Sequence, residues 1–312
     1  MLYSTEKSIL EKLSFPILEE KNIELFVKRD DLIDTEVSGN KWRKLKYNIE
    51  QALANKNNSI VTFGGAFSNH LVATAAACKL IGIRCVGIVR GEELNSNSNE
   101  TLKRCTQYGM ELKFVSRSEY ALRNDSLYLK DIHLEFENSF VVPEGGANFY
   151  GMIGCQDIIK EIEQDFDHVF IAQGTTTTSC GVLMALSEKT KLHVVPVLKG
   201  FDSLSEMKNL LNYSLFDDEL TDDLLQKVEV HEEAHFGGYG KYNTELLDFI
   251  KEFYKQHGVP LDPIYTGKVM FELMRKVKLN ELNNSKILFI HTGGIQGAKG
   301  IEEKENTTLY QS

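Results

Sequence analysis

Short apolar runs alternate along most of this chain with segments whose apolar residues recur every three or four positions. The run at 23–28 reads as a strand and is followed by loop through Ser38-Gly39-Asn40. Trp42, Leu45, Ile49 and Leu53 then recur at helical spacing, so a helix opens at Lys41. Strand-like 60–63 leads into a helix over 69–81, 83–89 into one near 99–108, and 112–115 into one over 118–136, with 140–142 closing the series. After the loop Pro143-Glu144-Gly145-Gly146-Ala147-Asn148 the rhythm resumes with helix 151–164, strand 168–172, a loop at 174–181 opening a helix, and strand 192–198. Helix 266–279 and strand 287–291 come near the end. Strands alternating with helices predict an α/β fold whose parallel sheets are covered by helices on both faces.

The return after residue 150 predicts two open parallel-sheet domains. Residues 1–48 with 153–312 are expected to form the larger one, and 49–152 a smaller inserted one, with the first strand and Lys41 joining the later sheet. In open sheets of this kind ligands bind beyond the carboxyl ends of the strands. The acidic stretch 216–224 reads as solvated surface.

A chain of 312 residues has ample core for two such domains. Its net charge of −10 disfavours a general nucleic-acid binder, which needs a basic surface. The five cysteines, Cys78, Cys85, Cys105, Cys155 and Cys180, include no C-x-x-C pair and point to a reducing compartment. Residues 1–18 have scattered charges and read as neither signal nor anchor, no run is long enough to span a membrane, and a cytoplasmic setting is expected. The N-x-S/T sequons at Asn57, Asn99, Asn124, Asn212, Asn283 and Asn306 are then chance matches.

Lys41 at a helix N-terminus would on its own be a solvated lysine. Four loops at element ends give it another meaning. Gly64-Gly65-Ala66-Phe67-Ser68-Asn69-His70 follows a strand and opens a helix, where glycines and unpaired N–H groups suit a carboxylate. Gly174-Thr175-Thr176-Thr177-Thr178-Ser179-Cys180-Gly181 offers consecutive hydroxyls at a helix N-terminus, which suits one phosphate, and it lacks the Gly-Lys-Ser/Thr end of a nucleotide loop. Asp262-Pro263-Ile264-Tyr265-Thr266-Gly267-Lys268 and His291-Thr292-Gly293-Gly294 add hydroxyls and glycines. An amine, a phosphate cup, a carboxylate nest and a wall are the parts that pyridoxal phosphate requires.

These pieces carry a family resemblance. G-N-K-W-R-K-L at 39–45, S-N-H at 68–70, P-E-G-G at 143–146, D-P-I-Y-T-G-K at 262–268 and H-T-G-G at 291–294 occur in the order found in a known group. The chain resembles the pyridoxal-phosphate enzymes that comprise 1-aminocyclopropane-1-carboxylate deaminase and D-cysteine desulfhydrase, within the tryptophan-synthase β-like fold. The resemblance implies Lys41 as the lysine that bonds the cofactor's aldehyde, Lys44 near the phosphate, and Asn69 beside the phenolic oxygen. It implies Ser68 and His70, with Asn69 and Thr292, near the substrate, and Thr175, Thr176, Thr177 and Thr178 as the phosphate loop. Tyr239 and Tyr265 match two active-site tyrosines, and Thr266 matches the partner of the pyridine nitrogen. A homodimer and a small amino-acid substrate are implied as well.

Within that group the deaminases look like D-P-V-Y-E-G with H-L-G-G, whereas desulfhydrase-like members carry threonine at both variable positions, as do Thr266 and Thr292. A carboxylate at position 266 would hold the pyridine nitrogen protonated, while a threonine hydroxyl carries no charge. Two features depart from the group's pattern: Ala66-Phe67 stands where Ile-Gln is common, and the phosphate loop has less glycine. The expected activity is β-elimination from D-cysteine. Cyclopropane deamination to 2-oxobutyrate is the alternative, and a non-catalytic phosphate-ligand binding protein is the alternative of another kind.

His231-Glu232-Glu233-Ala234-His235 also matches the zinc-protease pattern H-E-x-x-H. That pattern needs both histidines on one helical face. Here 227–230 reads as a strand, Phe236-Gly237-Gly238 breaks any helix, and Lys241 stands at the third-ligand position, so no metal is expected.

Overall fold

The computed structural model describes residues 5–34, 36–37 and 39–311. Ser38, read as loop, and the first four residues of the segment read as neither signal nor anchor lie outside them. In chain order the elements are β1 (Leu10–Leu13), α1 (Pro16–Glu20), β2 (Glu24–Lys28), α2 (Asn40–Ala54), β3 (Ser59–Gly65), α3 (Asn69–Ile81), β4 (Arg84–Arg90), α4 (Glu100–Gln107), β5 (Met110–Val115), α5 (Arg117–Ala121), α6 (Ser126–Glu135) and β6 (Ser139–Val142). They continue as α7 (Phe149–Lys160), β7 (His168–Gln173), α8 (Thr177–Ala185), β8 (Lys191–Pro196), α9 (Ser203–Leu215), α10 (Asp218–Leu225), β9 (Val228–Val230), α11 (Thr244–His257), α12 (Thr266–Lys278), β10 (Lys286–Ile290) and α13 (Gln296–Glu305).

Two compact units result among the described residues, one within 34–154 and one of 5–33 with 155–311. The first carries a sheet in the order β5-β4-β3-β6, with every neighbouring pair parallel. Ile60, Val61, Thr62 and Phe63 are fully buried, as a central strand covered on both faces requires. Val61, Phe63, Val86 and Ile88 pack with Tyr120, Ile132 and Phe136. Ser68 caps α3 by accepting the Leu71 N–H, and Gly82 ends that helix in the left-handed conformation at φ 72°.

The second unit carries the order β1-β2-β10-β7-β8-β9. Among the described residues only the β1–β2 pair is antiparallel, and β2 pairs in parallel with β10, so the first strands join the later sheet. Leu25, Val27, Phe170, Ile287 and Phe289 form a core with Ile250 and Phe253 of α11 and with Val269, Met270 and Leu273 of α12.

The structure differs from the sequence expectation in two places. Helix α2, with Lys41, counts with the first unit, because Trp42, Leu45, Ile49 and Ala52 are buried there and the chain divides at Ile33/Asp34 and Gly154/Cys155, not at 48/49 and 152/153. The single helix expected over 118–136 is two, because Asp125 accepts the Leu127 and Tyr128 N–H groups and starts a new helix. The acidic stretch is solvated surface as expected, largely as α10, which Asp217 caps and of which only Thr221 is buried.

Candidate active site

In the first unit Lys41 is the second residue of α2 and its Nζ donates to Asn40 Oδ1 at 3.4 Å. Lys44, one helical turn on, is only 1% exposed. Gly146 brings the P-E-G-G loop against it. At φ +69°, a Cβ on this glycine would stand 3.0 Å from Lys44 Cβ and 3.8 Å from His70 Cε1. Lys44, His70 and the 143–146 loop are therefore one packed cluster. Asn48 reinforces it by donating to the Lys44 carbonyl at 2.7 Å and pairing with Asn148.

The state of His70 follows from its partners. Thr62 Oγ1 donates its hydrogen to the Val142 carbonyl at 2.8 Å, so it can only accept from His70 Nε2, also at 2.8 Å. The ring hydrogen is thus on Nε2, and Nδ1 is a bare, buried acceptor with no hydrogen-bond partner. Burial, with the nearby Lys41 and Lys44 charges, pushes the ring down to about 3. Ser68 and the first turn of α3, beginning at exposed Asn69, lie at the start of the same helix. His70 can receive a hydrogen bond from an amine but cannot give one to a carboxylate.

In the second unit the threonine loop runs from β7 into α8. Thr176 is the residue before the helix and gives it no side-chain cap. Thr177 Oγ1 is fully buried and has no hydrogen-bond partner, while Thr175 at the loop's mouth is exposed. Ser179, by contrast, is used internally: it donates to the Thr176 carbonyl at 2.9 Å and accepts from Gln173 Nε2 at 2.8 Å. A Cβ on Gly174 would sit 3.1 Å from the Tyr265 ring, so the loop and that tyrosine are adjacent.

Asp262, fully buried, organises the segment before α12. Its Oδ1 accepts the Ile264 and Tyr265 N–H groups at 2.9 and 2.8 Å, and its Oδ2 accepts Thr266 N–H and Thr266 Oγ1 at 2.9 and 2.7 Å. Burial raises the pKa of Asp262 although these hydrogen bonds oppose it. Thr266 Oγ1 also accepts the Asp262 N–H at 2.9 Å, so its hydrogen is spent and one lone pair remains. Tyr265 packs edge-on to Tyr239 with centroids 6.1 Å apart, and burial, then Tyr239, keeps its phenol protonated well above the ordinary range. His291 donates from Nε2 to the Pro260 carbonyl at 2.5 Å and accepts Gly293 N–H at Nδ1, which fixes the turn holding buried Thr292.

The family profile described as "Pyridoxal-phosphate dependent enzyme" matches residues 10–293. The chain belongs to the pyridoxal-phosphate-dependent enzymes. Among these enzymes, a protein of Pyrococcus horikoshii provisionally named a 1-aminocyclopropane-1-carboxylate deaminase is 32% identical over 292 residues, 90% of this chain and 87% of that one. The D-cysteine desulfhydrase of Serratia proteamaculans is 31% identical over 307 residues, 91% of this chain and 90% of that one. The crystal structure of an ACC deaminase homologue matches at TM-score 0.77 and 28% identity, over 96% of this chain and 92% of that one. This is a pyridoxal-phosphate-dependent lyase with the expected fold, and a non-catalytic binding protein finds no support among these relatives.

The cofactor's phosphate fits what the second unit offers. The buried Thr177 hydroxyl, without a hydrogen-bond partner at a helix start that Thr176 does not cap through its side chain, is a donor of the kind a phosphate completes. Asp262 and Thr62 are spaced like ordinary turn and strand residues, and only the folded hydrogen bonds show that they set the state of Thr266 and His70. Lys268 is a further residue of this sort. Its buried Nζ donates to the His235 and Gly238 carbonyls at 2.8 and 2.9 Å, tying down the segment that carries Tyr239.

Proposed function

We propose that this lyase eliminates sulfide from D-cysteine, taking up one water and giving pyruvate, ammonia and hydrogen sulfide. The observation that carries this reading is the pair Thr266 and Thr292, threonine at both positions where the deaminase pattern has glutamate and leucine. Asp262 sharpens it. Thr266 Oγ1 is an acceptor backed by a buried carboxylate one hydrogen bond away, an arrangement intermediate between a bare hydroxyl and the direct carboxylate of the deaminase pattern.

Bound pyridoxal phosphate supplies an aldehyde that joins an amine and a ring that takes up the electron pair left when a bond to the amine-bearing carbon breaks. Thr175, Thr176, Thr177 and Thr178 would hold its phosphate with Lys44, Asn69 its phenolic oxygen, and Thr266 its ring nitrogen. Lys41 Nζ would hold the cofactor and then, displaced by substrate, remove the α-proton as general base. Ser68 and the α3 N-terminus would bind the substrate carboxylate, and Thr292 would contact the same substrate. Tyr265, paired with Tyr239, keeps its proton and would deliver it from the phenol oxygen to the departing sulfur. A homodimer and a cytoplasmic setting belong to this proposal.

The second reading is the cyclopropane deaminase, favoured by the name of the Pyrococcus horikoshii relative. Replacing Thr266→Glu together with Thr292→Leu tests the discriminating pair. The ratio of turnover of 1-aminocyclopropane-1-carboxylate to D-cysteine is expected to rise about tenfold or more. An unchanged ratio would remove the basis of the assignment.

A further inference from the structure

The motif H-E-x-x-H does not form a zinc helix, since His231 follows β9 and Glu232–His235 is a 3₁₀ turn. The strand period selects a different set. Glu229 and His231 are two apart and share one face of this edge segment. His193 on β8 is the register partner of Glu229, and Phe170 on β7 is the partner of His193. His193 lies flat on Phe170, ring centroids 4.2 Å apart at 4°.

Three ligand atoms converge there. His193 Nδ1 and His231 Nε2 are 3.0 Å apart, Glu229 Oε2 is 3.6 Å from the first, and Glu229 Oε1 is 3.8 Å from the second. Bonds of about 2.0–2.2 Å to a tetrahedral zinc imply ligand separations of about 3.3–3.6 Å, so small side-chain shifts would seat an ion. The outward nitrogens are already held. His231 Nδ1 faces Glu272 Oε1 at 3.1 Å, and His193 Nε2 faces His168 Nδ1 at 2.9 Å. Such outer partners fix the ligand tautomer. With an ion present, His231 keeps its hydrogen on Nδ1 toward Glu272. His193 moves its own to Nε2, donating to His168 Nδ1, and His168 moves its hydrogen to Nε2, so no imidazole gains or loses a proton.

We propose that His193, Glu229 and His231 bind one divalent transition-metal ion, with Zn²⁺ the best chemical match, and that this ion staples edge strand β9 to β8. Both imidazoles are buried while the Glu229 side chain is 43% exposed, which provides an entry path and a fourth position for water. Lys276 opposes the ion, its Nζ lying 2.9 Å from Glu229 Oε1. It has a second carboxylate, Glu281 Oε2, at 2.5 Å, and keeps that partner when Glu229 turns to the metal. The stapled strand leads directly into the 231–240 segment that Lys268 ties and that carries Tyr239.

Titration of chelator-treated, cofactor-loaded protein with Co²⁺ tests this. Visible absorption of a tetrahedral ion is expected to saturate at one equivalent and to be displaced by Zn²⁺ but not by Mg²⁺. Glu229→Gln should weaken binding by at least about a hundredfold, and Glu272→Gln, which leaves every ligand in place, by about 10–100-fold. A wild-type protein without tetrahedral Co²⁺ absorption overturns the proposal, as does unchanged Zn²⁺ affinity in Glu229→Gln. If that variant failed to fold, the wild-type titration and Glu272→Gln decide the matter.

Discussion

Lys41 takes its assignment from residues distant in sequence, and the most direct check on it is chemical. Borohydride reduction of the cofactor-loaded enzyme followed by peptide mapping should find the modified residue at Lys41, and Lys41→Ala should give no stable adduct; label on another lysine would displace the assignment. His70 carries a second prediction. Its folded ring is held down to about 3 by burial and by Lys41 and Lys44, whereas an unfolded histidine titrates near 6.5. Between those values the unfolded chain binds a proton that the folded ring refuses, so stability falls as pH falls below about 6.5. Urea midpoints measured from about pH 7 to about pH 5 should drop less steeply in His70→Asn than in the parent. At this scale the short motifs were legible because their residue types carry the chemistry directly. The hydrogen on Nε2 of His70 was not, because it depends on where Thr62 sends its own.

The regular elements were read where one period dominates. Residues 69–81 form a helix over that whole span because Ser68 caps it and Gly82 stops it. The break between α5 and α6 was missed because an aspartate inside an otherwise helical pattern decides it by a local hydrogen bond that periodicity does not weigh. The H-E-x-x-H match, set aside in the sequence for want of a helix, falls on residues that lie just beyond a strand. Among the connections, the 231–240 segment depends on one buried amine, Lys268, whose pKa burial pushes down to about 8. Lys268→Met should lower stability by about 1–3 kcal/mol in urea denaturation, since it strands two carbonyls. With Tyr239 displaced, kcat should fall on the order of ten- to a hundredfold. An active, fully stable variant would show that the tether is dispensable.

At the scale of the molecule, the alternation of strands and helices was enough to foresee two parallel sheets and the return of the last strands to the first. It could not place the boundary, because the side that α2 buries is settled by packing. Each unit then holds its own share of the proposed chemistry: Lys41, Lys44 and the helix start proposed for the carboxylate in the first, the threonine loop proposed for the phosphate and the Tyr239–Tyr265 pair in the second. Among the described residues no helix is long and apolar enough to cross a membrane. Cys78, Cys85 and Cys105 are buried thiols.

The central claim is the substrate, and one comparison addresses it: kcat/KM of the purified, cofactor-loaded enzyme for D-cysteine and for 1-aminocyclopropane-1-carboxylate, with sulfide, pyruvate and 2-oxobutyrate as readouts. The account predicts sulfide and pyruvate from D-cysteine, with the cyclopropane substrate slower by about tenfold or more. Turnover of 1-aminocyclopropane-1-carboxylate to 2-oxobutyrate with no sulfide from D-cysteine would contradict it.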